Sequence, residues 1–321
     1  MAFISKKTIN NKRRYYLEES LRLHDGKVKK ISIYLKDYSP KQEGQIMEQY
    51  RQQLKEKKDS LLITHSLTRY KTNVIFTKNL IISMEEIKLR YRDIEKNLTK
   101  RQMQDIIDRF TVNFTYESNA IEGNSLTIKD VTMILQEKKV LKNKDLREIY
   151  ETVNTREAMN LIFNKKLGIN EEDIIRLHKL LVNNTGVTFG YKGIPNVLIG
   201  RNVQTTPPEK VKQEMDELIK NYHQNKNIHP LQRAADFHGE FEKIHPFEDG
   251  NGRTGRLLIN IMLLENGYPP LIIRKSHKIN YFNALSSFDN HSESKLYWFL
   301  IEKYKNTYRK FFEIYIKYLN A

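Results

Sequence analysis

The sequence predicts a mostly α protein with one β-hairpin near its N-terminus and a second, short one near residue 195. Three features carry that reading. Beyond residue 40, apolar residues recur at helical spacing in segment after segment, as at Ile106, Phe110 and Phe114. Several of those segments open on good caps, such as Thr127 with Asp130, and Asn170. After residue 40 the one clear strand signal is "GYKGIPNVLIGR", Gly190 to Arg201, where Gly and Pro bracket a short apolar run.

In chain order, "YYLEESLRLHDGKVKKISIYL" reads as a hairpin turning at Asp25-Gly26, a favoured two-residue turn. Residues 41–62 are charged and helical, and a helical pattern runs from about residue 79 to 122. "TIKDVTMILQEKK" and "LREIYETVNTREAMNLIF" follow. "NEEDIIRLHKLLVNN" starts at Asn170 with acids in its first turn, which suits the helix dipole. "PEKVKQEMDELIKNYHQ" opens on Pro208, where proline is tolerated. "LQRAADFHGEFEKI" and "GRLLINIMLLENG" flank a polar loop, and "NYFNALSSF" and "LYWFLIEKYKNTYRKFFEIYIKYL" close the chain. No internal repeat or low-complexity block interrupts this order.

Apolar residues make up 39% and charged residues 29% of the 321, a composition that folds in water. With no cysteine there is no disulfide framework, thiolate zinc site or cysteine nucleophile. The first twenty residues lack the apolar core of a signal peptide, and no window approaches 18 consecutive apolar residues. The expectation is a cytoplasmic protein with no membrane span. The formal net charge of +16 is uneven: residues 1–110 hold 25 Lys+Arg against 14 Asp+Glu, a net of +11. Such a bias suits an acidic partner or nucleic acid. Without a nucleic-acid motif beside it, the plain reading is a solvated basic surface.

The loop "HPFEDGNGRTGR", His245 to Arg256, sits directly before the apolar run "LLINIMLL". Gly250, Asn251 and Gly252 sit just before a helix N-terminus, whose free N–H groups and positive dipole end make an anion site. Arg253 and Arg256, three apart, share one side of the first turn and can grip phosphate oxygens in pairs. Asp249 supplies a hard oxygen for Mg²⁺ beside substrate phosphates. His245 can accept a proton near neutral pH, and Phe247 is expected to plug into the core. A plain Gly-rich turn explains the glycines but not His, Asp, Asn and two arginines together.

The segment resembles the Fic family signature HPFx(D/E)GNGRxxR, matched at every specified position. The resemblance covers roughly residues 80–288 and implies a Fic-type helical bundle with a β-hairpin flap. Its usual activity is AMPylation, transfer of AMP from ATP to a protein hydroxyl with loss of pyrophosphate. Carried over, His245 would deprotonate the Ser, Thr or Tyr hydroxyl of a target protein, auto-modification included. Asp249 would bind Mg²⁺, Gly250–Gly252 the α- and β-phosphates, and Arg253 and Arg256 the outer phosphates of ATP. The resemblance also places Gly200, Arg201 and Asn202 of the flap beside the nucleotide, and Tyr281 and Phe282 of "NYFNALSSF" beside adenine.

A second stretch, "SNAIEGNSLT", puts Ser118 and Glu122 on one helix face, four residues apart. A helix end, turn and helix start account for Gly123, Asn124 and Thr127 without either. The stretch resembles the family's inhibitory motif (S/T)xxxE(G/N), which implies a Glu122–Arg256 pair in the γ-phosphate site. His238 invites a metal reading beside His245, but no third ligand stands at a zinc spacing, so it reads as a satisfied helix histidine. The expected division is a basic N-terminal hairpin and helix over 1–78, a Fic domain over 79–288 and a C-terminal helix over 289–321. The C-terminal aromatic stripe reads as packing against the body or a homodimer partner. Two other functions fit the same residues. One is removal of AMP by a water that Glu122 orients. The other is a non-catalytic nucleotide-binding module whose basic N-terminus contacts nucleic acid. An intact His245 favours catalysis, since binding alone needs no base.

Overall fold

A computed structural model of the chain describes residues 2–23, 25–36, 38, 43–139, 142–196 and 204–315. Its contacts divide into two compact units, Met1–Lys71 with Lys78–Glu86, and Thr72–Thr77 with Ile87–Ala321.

The first unit holds a three-stranded antiparallel sheet in the order β1 (Phe3–Ile9), β2 (Lys12–Arg22), β3 (Val28–Leu35). Alternation sorts its faces. Leu17, Ile31, Ile33 and Leu35 point to one side, where Ile46 of α1 (Glu43–Gln49) and Leu54 of α2 (Arg51–Arg69) complete a small core. The hairpin that the sequence predicts is β2 and β3; β1 is an additional strand. The signal was there: Asn10 and Asn11 are the two residues between Ile9 and Lys12, which pair, and both have positive φ, +49° and +56°. That is the two-residue turn whose twist suits a hairpin, and asparagine tolerates it. The other turn is wider than predicted. Leu23 N–H donates to Lys27 O, and Gly26 carries the left-handed φ of +83°.

The second unit is helical. The predicted run over 79–122 is two helices, α3 (Lys78–Asn97), which begins in the first unit, and α4 (Lys100–Ile121). The break has a local cause: Thr99 and Gln102 form a reciprocal capping box, a start signal that periodicity alone passes over. Next come α5 (Ile128–Leu135) and α6 (Leu146–Phe163), with the predicted Thr127–Asp130 box opening α5. Asn170 caps α7 (Glu171–Leu181), and Pro208 opens α8 (Pro208–Gln224), both as predicted. Then follow α9 (Pro230–Ile244), α10 (Asn251–Glu265), a single 3₁₀ turn (Lys275–His277), α11 (Lys278–Asp289) and α12 (Ser294–Phe311).

The α9–α10 pair is the centre of this unit. Nearly every residue of α10 is buried, as its unbroken apolar run requires. α4, α6 and α7 pack on α10, while α8, α11 and α12 pack on α9. Gly255 sets how close the two central helices come. A Cβ there would stand 2.9 Å from both the Glu242 carboxylate and the His238 ring. Among the described residues no helix is long and apolar enough to cross a membrane.

Candidate active site

The polar loop joins the C-terminus of α9 to the N-terminus of α10, in the middle of the bundle. His245 closes α9 in a left-handed conformation, φ +51° and ψ +62°, with its N–H on Phe241 O at 2.9 Å. A non-glycine residue there is strained by about 1–2 kcal/mol, so neighbours must hold it. Lys192 brackets it: the backbone N–H donates to Pro246 O at 2.8 Å, and Nζ donates to Ile244 O at 3.3 Å. Lys192 is itself buried, shared with Asn196 Oδ1 and Thr205 Oγ1, and burial lowers its ammonium to about 8.

Phe247 is fully enclosed, as the sequence suggested, and stacks on His178 at 3.8 Å between ring centres. The Asn251 side chain closes the loop around it, accepting from Phe247 N–H and donating to Phe247 O, both at 2.9 Å. The structure therefore commits the Asn251 amide to the loop, leaving its backbone N–H for an anion. His178 pins the other side. Its Nε2 donates to Asp249 O at 2.9 Å and its Nδ1 accepts from Gly190 N–H at 3.3 Å. Burial holds this ring neutral, down to about 4.

Gly250 starts α10 with φ +79°, and no side chain caps the helix. Its first-turn N–H groups and its dipole are left for an anion. A carboxylate already stands there. A Cβ at Gly252 would collide with the Glu122 carboxylate, so glycine is what admits it. Glu122 Oε1 accepts from Arg256 Nη2 at 2.7 Å. Ser118 completes the grip, with Oγ accepting from Arg256 Nε at 3.0 Å and O accepting from Nη2 at 2.9 Å. The guanidinium is buried; Glu122 is more than a third exposed.

Arg253 is also buried, and its partner was not foreseen: Nη1 stands 3.0 Å from Glu151 Oε1. Arg147, one turn earlier on α6, reaches the same Glu151 oxygen and also pairs with Asp249. Burial pushes the Asp249 carboxyl up, but Arg253, the Gly250 N–H and Arg147 outweigh it and hold it below the usual range. The sequence shows Arg147 and Glu151 as an ordinary i, i+4 helix pair; only the fold brings them to the loop.

The adenine expectation changes. Tyr281 is enclosed, its hydroxyl 2.7 Å from His238 Nε2, with its ring packed on His238 and Phe299. It is a core residue, and it gives His238 the partner expected of a helix histidine. Phe282 is half-buried, beside Lys278. In the flap, Tyr191 bridges to Phe247 and Asn196 Nδ2 donates to Phe247 O. Gly200, Arg201 and Asn202 lie outside the described residues.

Fold and loop together define a helical protein with a histidine and an uncapped helix N-terminus at the two ends of one short loop. Residues 168–263 match the Fic/DOC family model. The protein adenylyltransferase fic-1 of Caenorhabditis elegans is 31% identical over 180 residues, 54% of this chain and 35% of its own length. A protein adenylyltransferase Fic of Drosophila persimilis is 34% identical over 176 residues, 53% of this chain and 34% of its own. The chain thus spans about a third of the length of these curated relatives. Among solved structures, a Fic family protein from Desulfovibrio desulfuricans superposes with TM-score 0.64 at 27% identity, covering 75% of each chain. A Fic domain containing signaling protein from Bacteroides thetaiotaomicron gives 0.58 at 26% identity, over 70% of this chain and 97% of that one. Over residues 168–263 the chain is thus similar to the Fic/DOC family.

Proposed function

We propose that this chain is a protein adenylyltransferase that Glu122 holds at rest. The observation that carries the reading is one loop with His245 at its start and, at its end, an uncapped helix N-terminus flanked by two buried arginines. The names of the curated relatives support it. In this reading the α10 N-terminus and Arg253 hold the phosphates of ATP, and Arg256 holds the outermost. The target hydroxyl oxygen bonds to the α-phosphorus, the bond to the β-phosphate oxygen breaks, and pyrophosphate leaves. The hydroxyl proton goes to the His245 ring. The rest is positioning and charge neutralisation, as in other phosphoryl transfers.

Among the described residues no three His, Cys, Asp or Glu gather as a metal cluster. Asp249 still fits Mg²⁺, which is commonly held by one carboxylate together with substrate phosphates. Such an ion would neutralise phosphate charge, and Arg147 would have to release Asp249 to it.

Glu122 competes with the terminal phosphate for Arg256. A charge-assisted hydrogen bond is worth about 1.5–3 kcal/mol, and about 1.4 kcal/mol is a factor of ten. Replacing Glu122 with glycine should raise AMP transfer at least tenfold. The test follows label from ATP into the protein for the parent, Glu122→Gly, and Glu122→Gly with His245→Ala. The reading expects strong labelling in the second alone, with ATP still bound by the third. Equal labelling with and without His245 would sink it.

A further inference from the structure

We infer that the outer face of the N-terminal sheet binds single-stranded nucleic acid. The helices of that unit pack on the other face, against Leu17, Ile31, Ile33 and Leu35. Strand alternation and register therefore gather a second set of side chains on the open side. Phe3, Tyr16 and Tyr34 come one from each strand. Tyr16 lies directly opposite Tyr34, with ring centres 5.5 Å apart, and Phe3 opposes Glu18, two residues along from Tyr16. The three rings thus run diagonally across the sheet, with the diagonal step on the order of 7–8 Å. Phe3 is 46% and Tyr34 48% exposed, unusual for large rings with no covering element in their own unit.

Cations sit between the rings. Lys7 lies over Tyr16 at 4.8 Å, Lys30 over Phe3 at 5.4 Å, and Arg14 beside Tyr34 at 5.8 Å. Lys12 and Arg22 extend the same face at the two ends of β2, and both are exposed. Among the described residues of the three strands, the one carboxylate on this face is Glu18, enclosed and paired with Lys7 and Lys30. It fixes two of the cations in place and cancels one charge. Five cations less one carboxylate leave four positive charges around three rings.

This arrangement selects among acidic partners. A free polyphosphate would use the cations and ignore the rings; a membrane surface would use both, and competition by vesicles separates it. A duplex hides the faces of its bases. A single strand offers both a phosphate for each cation and an unstacked base for each ring. Residues 1–71 and 78–86 together hold 18 Lys+Arg against 10 Asp+Glu, so the unit as a whole attracts a polyanion. The sequence hid this because a hairpin read as linear text shows a scatter of basic and aromatic residues. Only the register places them in one plane.

The test is fluorescence anisotropy with the full chain and labelled dT and rU oligonucleotides of about one OB-fold site, roughly 12 nucleotides. Inorganic polyphosphate, phosphatidylserine vesicles and a duplex of the same length serve as competitors. Four cations on a single strand predict a slope of about −3 in log K against log salt. Tyr34→Ala and Phe3→Ala remove exposed rings and should each weaken binding about five- to a hundredfold with the slope unchanged. Arg14→Gln should instead reduce the slope by about 0.7. Binding unaffected by either ring variant, or competed equally by polyphosphate or vesicles, would overturn the inference. So would tighter binding of the duplex, or no binding of either oligonucleotide at low salt.

Discussion

Arg256 turns its guanidinium wholly toward the end of α4, where Ser118 and Glu122 accept from two of its nitrogens. The proposed activation by Glu122→Gly therefore has a partner prediction at the same residue. Arg256→Ala, added to Glu122→Gly, should remove the gain, because the freed phosphate site needs that arginine. Measured as initial labelling rates, the double variant should fall at least tenfold below Glu122→Gly, since one charge-assisted contact is lost. If it labels as fast as the single variant, Arg256 does not hold the productive phosphate. The local residues of this site are legible in sequence because the motif is contiguous, and Ser118 and Glu122 because their stretch resembles the family's inhibitory motif. Arg147, Glu151, His178 and Lys192 are not, because each reaches the loop from an element distant in sequence. His178 reads as one more histidine on an amphipathic helix until Phe247 is stacked on it. The setting of Tyr281 is hidden for the same reason: its partner, His238, lies 43 residues away and on another helix.

At the scale of elements, the site is a junction between α9 and α10, and both its ends depend on close packing. Gly255→Ala would push a methyl group against Glu242 and His238 at 2.9 Å, between buried elements that have little room to yield. Overpacking of this kind costs about 1–3 kcal/mol, and the variant should show a lower urea midpoint with an unchanged m-value. A midpoint equal to the parent's would mean the helices slide apart freely. Asn251→Ala removes both its bonds to Phe247; Phe247 O keeps Asn196, but the buried Phe247 N–H loses its partner, so the urea midpoint should fall by the equivalent of about 1–3 kcal/mol. Helices and their caps were legible from periodicity and composition. The break at Thr99 and the strand β1 were also written in local residues, the capping box and the paired asparagines. Hydrophobic periodicity carries no trace of either, because both are set by polar residues at the breaks.

For the whole molecule, the two units should answer acid differently. In the helical unit, burial holds His178 neutral down to about 4 and His229 down to about 3, against an ordinary 6.5. A depressed folded pKa means that the unfolded chain takes up the proton first. The stability each ring contributes is present above pH 6.5 and is lost as pH falls toward its folded value. At pH 5 that is about 2 kcal/mol for each ring. Asp236 works the other way. Burial, against the bond from Tyr297, raises it to about 6, so it gains about 1 kcal/mol over the same interval, and Glu240 and Glu265 are pushed in the same direction. In the sheet unit, burial pushes Glu18 up, but bonds from Lys30, Lys7 and Ser5 outweigh it and bring it to about 2. Its contribution is therefore intact at pH 5 and is lost only as pH falls from about 4.5 toward 2. The chain has a single tryptophan, Trp298 on α12, so its fluorescence follows the helical unit alone. Urea titrations read at Trp298 at pH 7 and pH 5 should show a loss that shrinks by about 2 kcal/mol in His178→Gln, which keeps a donor and an acceptor but cannot take the proton. Hydrogen exchange of the β2–β3 amides, corrected for the intrinsic pH dependence of exchange, should show the same protection at both pH values. A parent and a His178→Gln variant that lose equal stability between pH 7 and 5 would mean that His178 does not couple the loop to protonation.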